Sequence, residues 1–200
     1  MKNQTIKAGL LALALGTSAW AADGASFLAG GNFQYGMPAF GVTAMGGGMN
    51  FDLHFPIKSV TGLQVGMRSF MSLAQTSDFV NIQADGNQED LDRSFYSAGV
   101  AIGPKFKTGG NVYFMGTVGL LVAGNYAVDK TFAANNIGDR EILSEQADLS
   151  LGGEGSVGFG YRNDSGFNLE FSVVGQGASS EGAPGIMMSI GPKLVFGVAL

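Results

Sequence analysis

The sequence contains no cysteine, few charged residues and no long hydrophobic run beyond its first 22 positions. The absence of cysteine excludes a disulfide-stapled fold and a lipoprotein anchor. Charged residues make up only 14%, and sixteen acidic residues outnumber eleven basic ones, so the clustered cations that bind nucleic acid are missing. A helical membrane protein would need about 20 consecutive apolar residues. The chain must therefore reach stability through its own fold, without staples, nucleic acid or membrane helices.

Glycine is abundant instead, with 33 residues in 200, and hydrophobic residues reach 46%. The glycines have no triplet period, which excludes collagen, and the hydrophobic content excludes an ordinary disordered acidic chain. A length of 200 residues suits one domain of moderate size. The composition favours a single glycine-rich β-domain.

The first 21 residues have the layout of a secretory signal peptide. Lys2 and Lys7 flank a polar start, residues 8–15 read AGLLALAL, and residues 19–21 place small side chains at the two positions that a signal peptidase inspects. The apolar part has eight residues, too few for an uncleaved anchor that spans a bilayer. We predict a signal peptide over residues 1–21 and one mature domain over residues 22–200, with a net charge of 9 − 16 = −7.

Apolar residues alternate with a period of two through the rest of the chain, which predicts β-strands. The end of the chain shows this most clearly, because every even position from Ile186 to Leu200 is apolar. Seven earlier segments alternate in the same way: residues 27–35, 45–55, 63–73, 96–106, 112–122, 149–161 and 167–173. Eight strands are therefore expected.

The connections between these strands are short on one side and mostly long on the other. Tight turns rich in Gly, Asn, Asp or Pro are predicted at residues 55–58, 108–111 and 163–166. The opposite connections are residues 36–39, 74–93, 126–146 and 175–185. Short periplasmic turns and long outer loops are the layout of a bacterial outer-membrane barrel. We predict an all-β fold, an eight-stranded antiparallel up-and-down transmembrane β-barrel, located in the cell outer membrane.

A soluble lipocalin-like barrel has the same alternation with its faces exchanged, so the polar face has to distinguish the two folds. That face is mainly glycine, serine and alanine, as in Ser97, Gly99, Ala101 and Gly103. Strands that face water usually carry more Lys, Glu and Thr, whereas a narrow eight-stranded lumen holds mainly small residues. The polar face therefore favours the membrane barrel.

The mature chain resembles the small eight-stranded outer-membrane β-barrel superfamily, which includes the OmpA transmembrane domain, OmpX and OmpW. The resemblance rests on the architecture, on glycine-rich strands such as residues 65–68, and on a final strand that ends at Leu200. In that family the final strand is read by the outer-membrane assembly machinery, usually through a terminal aromatic residue, which Leu200 replaces here. The resemblance implies a porin-like monomer surrounded by outer-membrane lipid and lipopolysaccharide in a Gram-negative cell envelope.

Catalytic chemistry finds little support in the sequence. Lipid-modifying enzymes that resemble this architecture use histidine with serine and an acidic residue. The one histidine, His54, is expected at the lumen mouth or periplasmic turn, away from the outer leaflet. The acidic stretch over residues 85–92 fails the EF-hand pattern, because Asp90 and Tyr96 stand where Gly and Glu are needed. We predict no enzyme activity, no cofactor and no metal site.

The expected function is a structural or surface-interaction role, adhesion or binding, through acidic extracellular loops. The loop over residues 74–93 has a net charge of 1 − 5 = −4, which favours bridging cations or basic partners. The partner itself is not identified by the sequence. The alternative function is a narrow channel for small solutes or apolar compounds.

Eight charged residues are expected to face the lumen with balanced charge: Arg68, Lys105, Arg162 and Lys193 against Asp52, Asp148, Glu154 and Glu170. Counting from the turns places Arg68, Glu154 and Lys193 near mid-depth. The same count places Asp52, Lys105 and Glu170 in a lower layer. A lone charge in a narrow lumen costs several kcal/mol. We predict that Glu154 forms an ion pair with Arg68 or Lys193 and plugs the pore. Glu170 or Asp52 is expected to pair with Lys105. The alternative is a water-filled lumen in which the charges are screened.

Two further patterns carry structural expectations. The segments Ile102–Phe106 and Ile190–Leu194 share the sequence Ile-Gly-Pro-Lys, so each proline should mark a bulge or a weak point in strand pairing. Aromatic residues should form girdles at two levels: Phe55, Phe106, Tyr161 and Phe167 below, and Tyr35, Phe40, Tyr96 and Tyr126 above.

Overall fold

The computed structural model describes residues 25–37, 44–57, 62–77, 90–132, 140–180 and 186–199. The predicted signal peptide, the acidic stretch at 85–89, Phe40 and Leu200 lie outside the described residues. The described residues form eight strands: β1 (Ser26–Met37), β2 (Ala44–Pro56), β3 (Leu63–Ser77), β4 (Asp90–Lys107), β5 (Val112–Phe132), β6 (Arg140–Arg162), β7 (Phe167–Ser180) and β8 (Ile186–Ala199).

The strands pair in chain order and close into one antiparallel barrel, with β8 hydrogen-bonded to β1. Following directly paired residues around the barrel from Phe27 leads back to β1 at Met37, which is 37 − 27 = 10 residues further along. This stagger is the shear, and together with the strand number it sets the tilt and the lumen width. The predicted fold class is confirmed. The described residues include no helix long and apolar enough to cross a membrane.

The two faces of each strand differ as the alternation predicts. Outward positions carry large exposed apolar side chains, of which Leu120 is 79% exposed. On β5 alone this apolar belt contains Val112, Phe114, Val118, Leu120 and Val122. Inward positions are buried and mostly small or polar. The assignment of faces that favoured a membrane barrel over a lipocalin-like one therefore agrees with the structure.

The short turns lie where the Gly, Asn and Asp signals stand, with one correction. Gly62, Gly110 and Gly166 adopt positive φ angles of 82°, 105° and 87°, a conformation that side chains with a Cβ rarely tolerate. The turn expected at residues 55–58 begins later, because β2 continues through Pro56. Pro56 is the last strand residue, a position where its missing N–H costs little.

The strands also extend further outward than expected. The predicted loop over residues 126–146 belongs largely to β5 and β6, which are 21 and 23 residues long. These strands stay paired up to Phe132 and Arg140, with a register shift between Asp129 and Lys130. Apolar alternation signals only the part of a strand that faces lipid, so the polar continuation of a paired hairpin carries no such signal.

The aromatic girdles are visible at both levels. Tyr96 and Tyr126 are direct partners on β4 and β5 with ring centroids 6.1 Å apart, and they mark the upper limit of the apolar belt. Phe106, Tyr161 and Phe167 are exposed near the periplasmic turns. Tilted aromatic rings at two levels are the usual interface anchors of a membrane barrel.

Candidate functional site

Six charged side chains occupy the interior of the barrel. All six are at most 5% exposed: Asp52, Arg68, Lys105, Glu154, Glu170 and Lys193. Each stands at an inward position of its strand, so the period of two delivers them to the lumen. Three cations meet three anions there, which makes the buried charge neutral.

Arg68 and Glu154 form the uppermost of three ion pairs. The Nε atom of Arg68 donates to Oε1 of Glu154 at 2.6 Å. Arg68 lies on β3 and Glu154 on β6, so the guanidinium crosses the lumen to reach its partner. Gly119 on β5 leaves room for it, because a Cβ built there would lie 2.8 Å from Nη2 of Arg68.

Glu154 is also hydrogen-bonded to a chain of two glutamines that leads to the opposite wall of the barrel. Its Oε2 accepts from Nε2 of Gln176 at 3.2 Å, and Oε1 of Gln176 accepts from Nε2 of Gln34 at 3.2 Å. We call the set Arg68, Glu154, Gln176 and Gln34 the crossbar. It links β3, β6, β7 and β1 through side chains alone, and it crosses the lumen.

Lys193 and Asp52 form the second pair, with 2.7 Å between Nζ and Oδ2. Asp52 lies directly opposite Arg68 in the β2–β3 register, although each of them pairs with a different residue. Lys193 was expected near mid-depth and Asp52 below it. The ion pair joins these two levels.

Lys105 lies at the centre of the lowest cluster. Its Nζ is 2.5 Å from Oε1 of Glu170, which also accepts from the Tyr113 hydroxyl at 2.7 Å, and it is 3.3 Å from Nδ1 of His54. His54 lies two residues before Pro56, the last residue of β2, so it is near the periplasmic end of the strand as expected, and its ring is buried in the lumen at 1% exposed. The ring turns inward over Gly66, its direct partner on β3, where a Cβ would lie 2.5 Å from Cδ2 of His54.

Two of the eight charges expected to balance in the lumen behave differently. Arg162 is exposed, because it is the last residue of β6 and lies beside the periplasmic turn. Asp148 is only partly buried, near the upper end of the apolar belt. The balanced set is therefore the inner six.

Sequence reasoning missed the neutral members of these networks, Gln34, Gln176 and Tyr113. A glycine directly opposite a large inward residue is a usable signal, since Tyr113 faces Gly160 just as His54 faces Gly66. A Cβ at Gly160 would lie within 2.6 Å of the Tyr113 ring and hydroxyl.

Several buried polar atoms have no hydrogen-bond partner among the described residues: Nη1 and Nη2 of Arg68, Oδ1 of Asp52, Nδ2 of Asn50, Oδ1 of Asn32, Nε2 of His54 and Oγ of Ser172. Such groups need water or another polar partner. Within the same residues, no cluster of three or more His, Cys, Asp or Glu side chains could hold a metal ion. The arrangement is thus an interior of charge pairs and hydrogen-bonding groups.

No protein-family model and no curated protein matches this chain. Solved structures do resemble it. Neisserial surface protein A (NspA) is 13% identical with a TM-score of 0.56, and the match covers 89% of this chain and 99% of NspA. Ail, the attachment invasion locus protein of Yersinia pestis, in complex with the heparin analogue sucrose octasulfate, is 15% identical with a TM-score of 0.54 and the same coverage.

At such low identity these structures establish the fold. The closed barrel, the outward apolar belt and the two aromatic levels agree with that fold and require lipid around the strands. The resemblance stated from the sequence is therefore confirmed, and the chain is a small eight-stranded β-barrel of the outer-membrane type.

Proposed function

We propose that this protein is a non-enzymatic outer-membrane barrel whose outer strands and acidic loops bind a partner at the cell surface. The observation that carries the proposal is the continuation of β4, β5 and β6 beyond the apolar belt. Strands that served only to span the bilayer would end near Tyr96 and Tyr126, but pairing continues to Asp90 and Phe132. A paired, polar extension outside the lipid is a rigid platform for contacts.

The interior supports the same proposal. The crossbar and the two lower ion pairs fill an eight-stranded lumen, which has room for little besides side chains. We propose that Glu154 and Arg68 act as a plug. If the lumen is closed, the outer end of the barrel, and not a pore, is the part that can carry the function.

The charge of the outer strands bears on the kind of partner. Above Tyr96 and Tyr126 the paired strands carry Arg93, Lys130 and Arg140 against Asp90, Asp92, Asp129, Glu141 and Glu145, so the net charge of these segments is 3 − 5 = −2. The Ail structure contains a polyanion, sucrose octasulfate. An acidic surface repels such a ligand. A cationic partner fits this chain better.

Adhesion of proteoliposomes tests this proposal. Vesicles of zwitterionic lipid that contain the full mature chain should adhere to a poly-lysine surface more than empty vesicles do, and should not adhere to a heparin-coated one. The double variant Glu141→Gln/Glu145→Gln should reduce adhesion to poly-lysine and respond less to salt. Equal adhesion by empty vesicles, or preference for heparin, would reject an acidic binding surface.

The second candidate function is a narrow channel for small solutes or apolar compounds. The unpartnered polar atoms around Arg68, Asp52 and Asn50 favour it, because buried groups of this kind attract water. Planar-bilayer conductance separates the two functions. We expect the native protein to conduct poorly, and Glu154→Gln to raise conductance if the plug blocks an otherwise continuous path.

Export to the outer membrane after removal of residues 1–21 belongs to the same proposal. Trp20 is the only tryptophan, so a protein cut after Ala21 has no tryptophan fluorescence. We expect tyrosine emission alone from the protein purified out of the outer-membrane fraction. A tryptophan emission band there would place the cleavage site elsewhere.

A further inference from the structure

The periplasmic end of the lumen carries two cations that take no part in the three ion pairs. Lys107 is the last residue of β4 and Arg162 is the last residue of β6, and both stand at inward positions. They flank the start of β5, which pairs with both strands. Arg162 and the turn residues 108–111 are exposed and Lys107 is half-buried, so this end of the lumen meets water. We call Lys107, Arg162 and residues 108–111 the cationic mouth.

An aromatic ring holds Lys107 in place. Its Nζ lies 5.3 Å from the centroid of the Tyr113 ring. Tyr113 is itself fixed, because it is 2% exposed and its hydroxyl donates to Glu170. A cation within about 6 Å of an aromatic face is attracted by the ring. The ammonium group of Lys107 is therefore positioned at the mouth before any ligand arrives.

Among the described residues, neither cation of the mouth forms an ion pair. Glu170 attracts Lys107, but its Oε1 already accepts from Lys105 and from Tyr113. Arg162 is the charged group that interacts most strongly with Lys107, and this interaction is repulsive. Two like charges held near each other are stabilised by an anion placed between them. The mouth therefore has the charge arrangement of an anion site.

The positive charge is confined to this sector of the barrel end. In the described residues, the lower ends of β1, β2, β3, β7 and β8 carry no Lys or Arg. The turn after β6 contributes Asp164, which is exposed and leaves the sector with a net charge of 2 − 1 = +1. The outer segments of β4, β5 and β6 are acidic. The two ends of the barrel therefore differ in the sign of their charge.

The depth of the mouth selects the kind of anion. Phe106 and Tyr161 immediately precede Lys107 and Arg162, and both are exposed at the lower aromatic level. Aromatic girdles mark the interface between membrane and water, which is also the level of the lipid phosphates. Between them on β5, Phe114 is 72% exposed toward lipid. A phosphate at the mouth can therefore belong to a lipid whose acyl chains lie along this aromatic sector.

We propose that the cationic mouth is a binding site for the phosphate of an anionic phospholipid in the inner leaflet of the membrane. Lys107 and Arg162 contact the phosphate, and Tyr113 keeps Lys107 in position. The outward aromatic residues of β4, β5 and β6 contact the acyl chains. This inference goes beyond the proposed surface-interaction function, because it concerns the opposite end of the barrel.

Native mass spectrometry tests the site in the full mature chain, released from nanodiscs that contain equal amounts of phosphatidylglycerol and phosphatidylcholine. The mass of a retained lipid identifies it. We expect adducts with phosphatidylglycerol to exceed those with phosphatidylcholine about fivefold, since each basic side chain at a membrane surface contributes roughly that factor for an anionic lipid. Salt should reduce the preference. Equal retention of the two lipids, or a preference that salt does not change, would overturn the proposal.

Two double variants of equal net charge locate the site. Lys107→Gln/Arg162→Gln removes both cations of the mouth and should abolish the preference for phosphatidylglycerol. Arg93→Gln/Lys130→Gln removes two cations from the outer parts of β4 and β5 and should keep the native preference. Loss of the preference in both variants, or in neither, would overturn the proposal. If the first variant does not assemble, the single change at the exposed Arg162, Arg162→Gln, should lower the preference, and an unchanged value would overturn the proposal.

A soluble phosphate separates a lipid from a free ligand. Glycerol phosphate, added to the nanodiscs in large excess over the lipid, carries the same charged group without acyl chains. We expect phosphatidylglycerol to stay bound. Its displacement would show that the acyl chains add nothing to binding, and would overturn the assignment to a lipid. Adhesion to poly-lysine should not decrease in Lys107→Gln/Arg162→Gln, so lipid binding and surface binding are tested independently.

Discussion

Two glycines on the same strand, Gly158 and Gly155 of β6, face opposite sides of the barrel wall and differ in the space around them. A Cβ at the inward Gly158 would lie 2.1 Å from the carbonyl oxygen of Phe171 and 2.6 Å from Cα of Ser172. A Cβ at the outward Gly155 would meet nothing closer than the carbonyl oxygen of Thr117 at 3.7 Å. The first contact requires the backbone to move, and the second is an ordinary van der Waals contact.

The difference shows how tightly the concave side of the wall is packed. Strands of a narrow barrel coil strongly, which brings neighbouring backbones together on the inner face and separates side chains on the outer face. Inward positions such as Gly191 therefore have to be glycine, because a Cβ there would collide with the carbonyl oxygen of Phe33 on the neighbouring strand. Outward positions such as Gly155 have room for a larger side chain.

The largest effect that tests the contrast between the faces is expected from Glu154→Gln. The change keeps the shape of the side chain but leaves the buried Arg68 without its counter-charge, which costs about 3–5 kcal/mol. Urea unfolding of the lipid-reconstituted protein would measure the loss. The outward substitution Leu151→Met serves as control and should not change the unfolding midpoint. An unchanged midpoint in Glu154→Gln would mean that water already screens this pair.

The next effect is on the outer face, where Leu120→Arg should cost about 2–4 kcal/mol because a cation near mid-bilayer must leave water. Leu120 is among the most exposed apolar side chains of the belt. Leu120→Ile keeps the apolar character and should be neutral in the same urea assay. Full stability of Leu120→Arg would indicate that this face does not contact lipid.

A smaller loss is expected from Gly158→Ala. The added methyl group must displace the backbone at Phe171 and Ser172, and overpacking of this kind costs about 1–3 kcal/mol. Strand pairing between β6 and β7 should loosen locally, which faster amide exchange at Val173 would reveal. If amide exchange at Val173 stays at its native rate, the inner face has enough room to accommodate the added methyl group.

The smallest effect is expected from Gly155→Ala, the matched outward change on the same strand. Its methyl group enters lipid with no contact shorter than 3.7 Å, so stability should stay within about 0.5 kcal/mol of the native value. A loss as large as that of Gly158→Ala would break the comparison between the two faces.

The eight strands and the identity of the inward face could be predicted from the sequence. Every strand with one face toward lipid and the other toward the lumen alternates apolar and polar residues with a period of two. All six inner charges were located in this way. Their partners were narrowed to two alternatives each, and the structure pairs Glu154 with Arg68 and Glu170 with Lys105. Arg68 has Asp52 as its direct neighbour on β2, but it pairs with Glu154 three strands away, a choice that depends on the shear and on the space beside Gly119.

The outer ends of the strands could not be predicted for a different reason. Above Tyr126 the sequences of β5 and β6 become polar, so the paired strands continue without the apolar alternation that marks the spanning part. The burial of His54 was not predicted, because it depends on Gly66 on the neighbouring strand. The weak points expected at the two prolines are present: the direct pairing between β4 and β5 skips Pro104, and that between β8 and β1 skips Pro192. Neither site has a bulge, because the register is the same on both sides of each gap.

The register shift at Asp129 and Lys130 has a consequence for insertions and deletions. These residues pair with Ser144 and Ile142, so Leu143 is one extra residue on β6. The shift lies three residues beyond Tyr126, where no lipid face has to be kept. One residue added below that level would move the apolar belt of the strand into the lumen and its charges into the lipid. Insertions or deletions of a single residue are therefore expected to be tolerated in the outer hairpins. In the membrane-spanning segments they are expected to prevent assembly of the barrel.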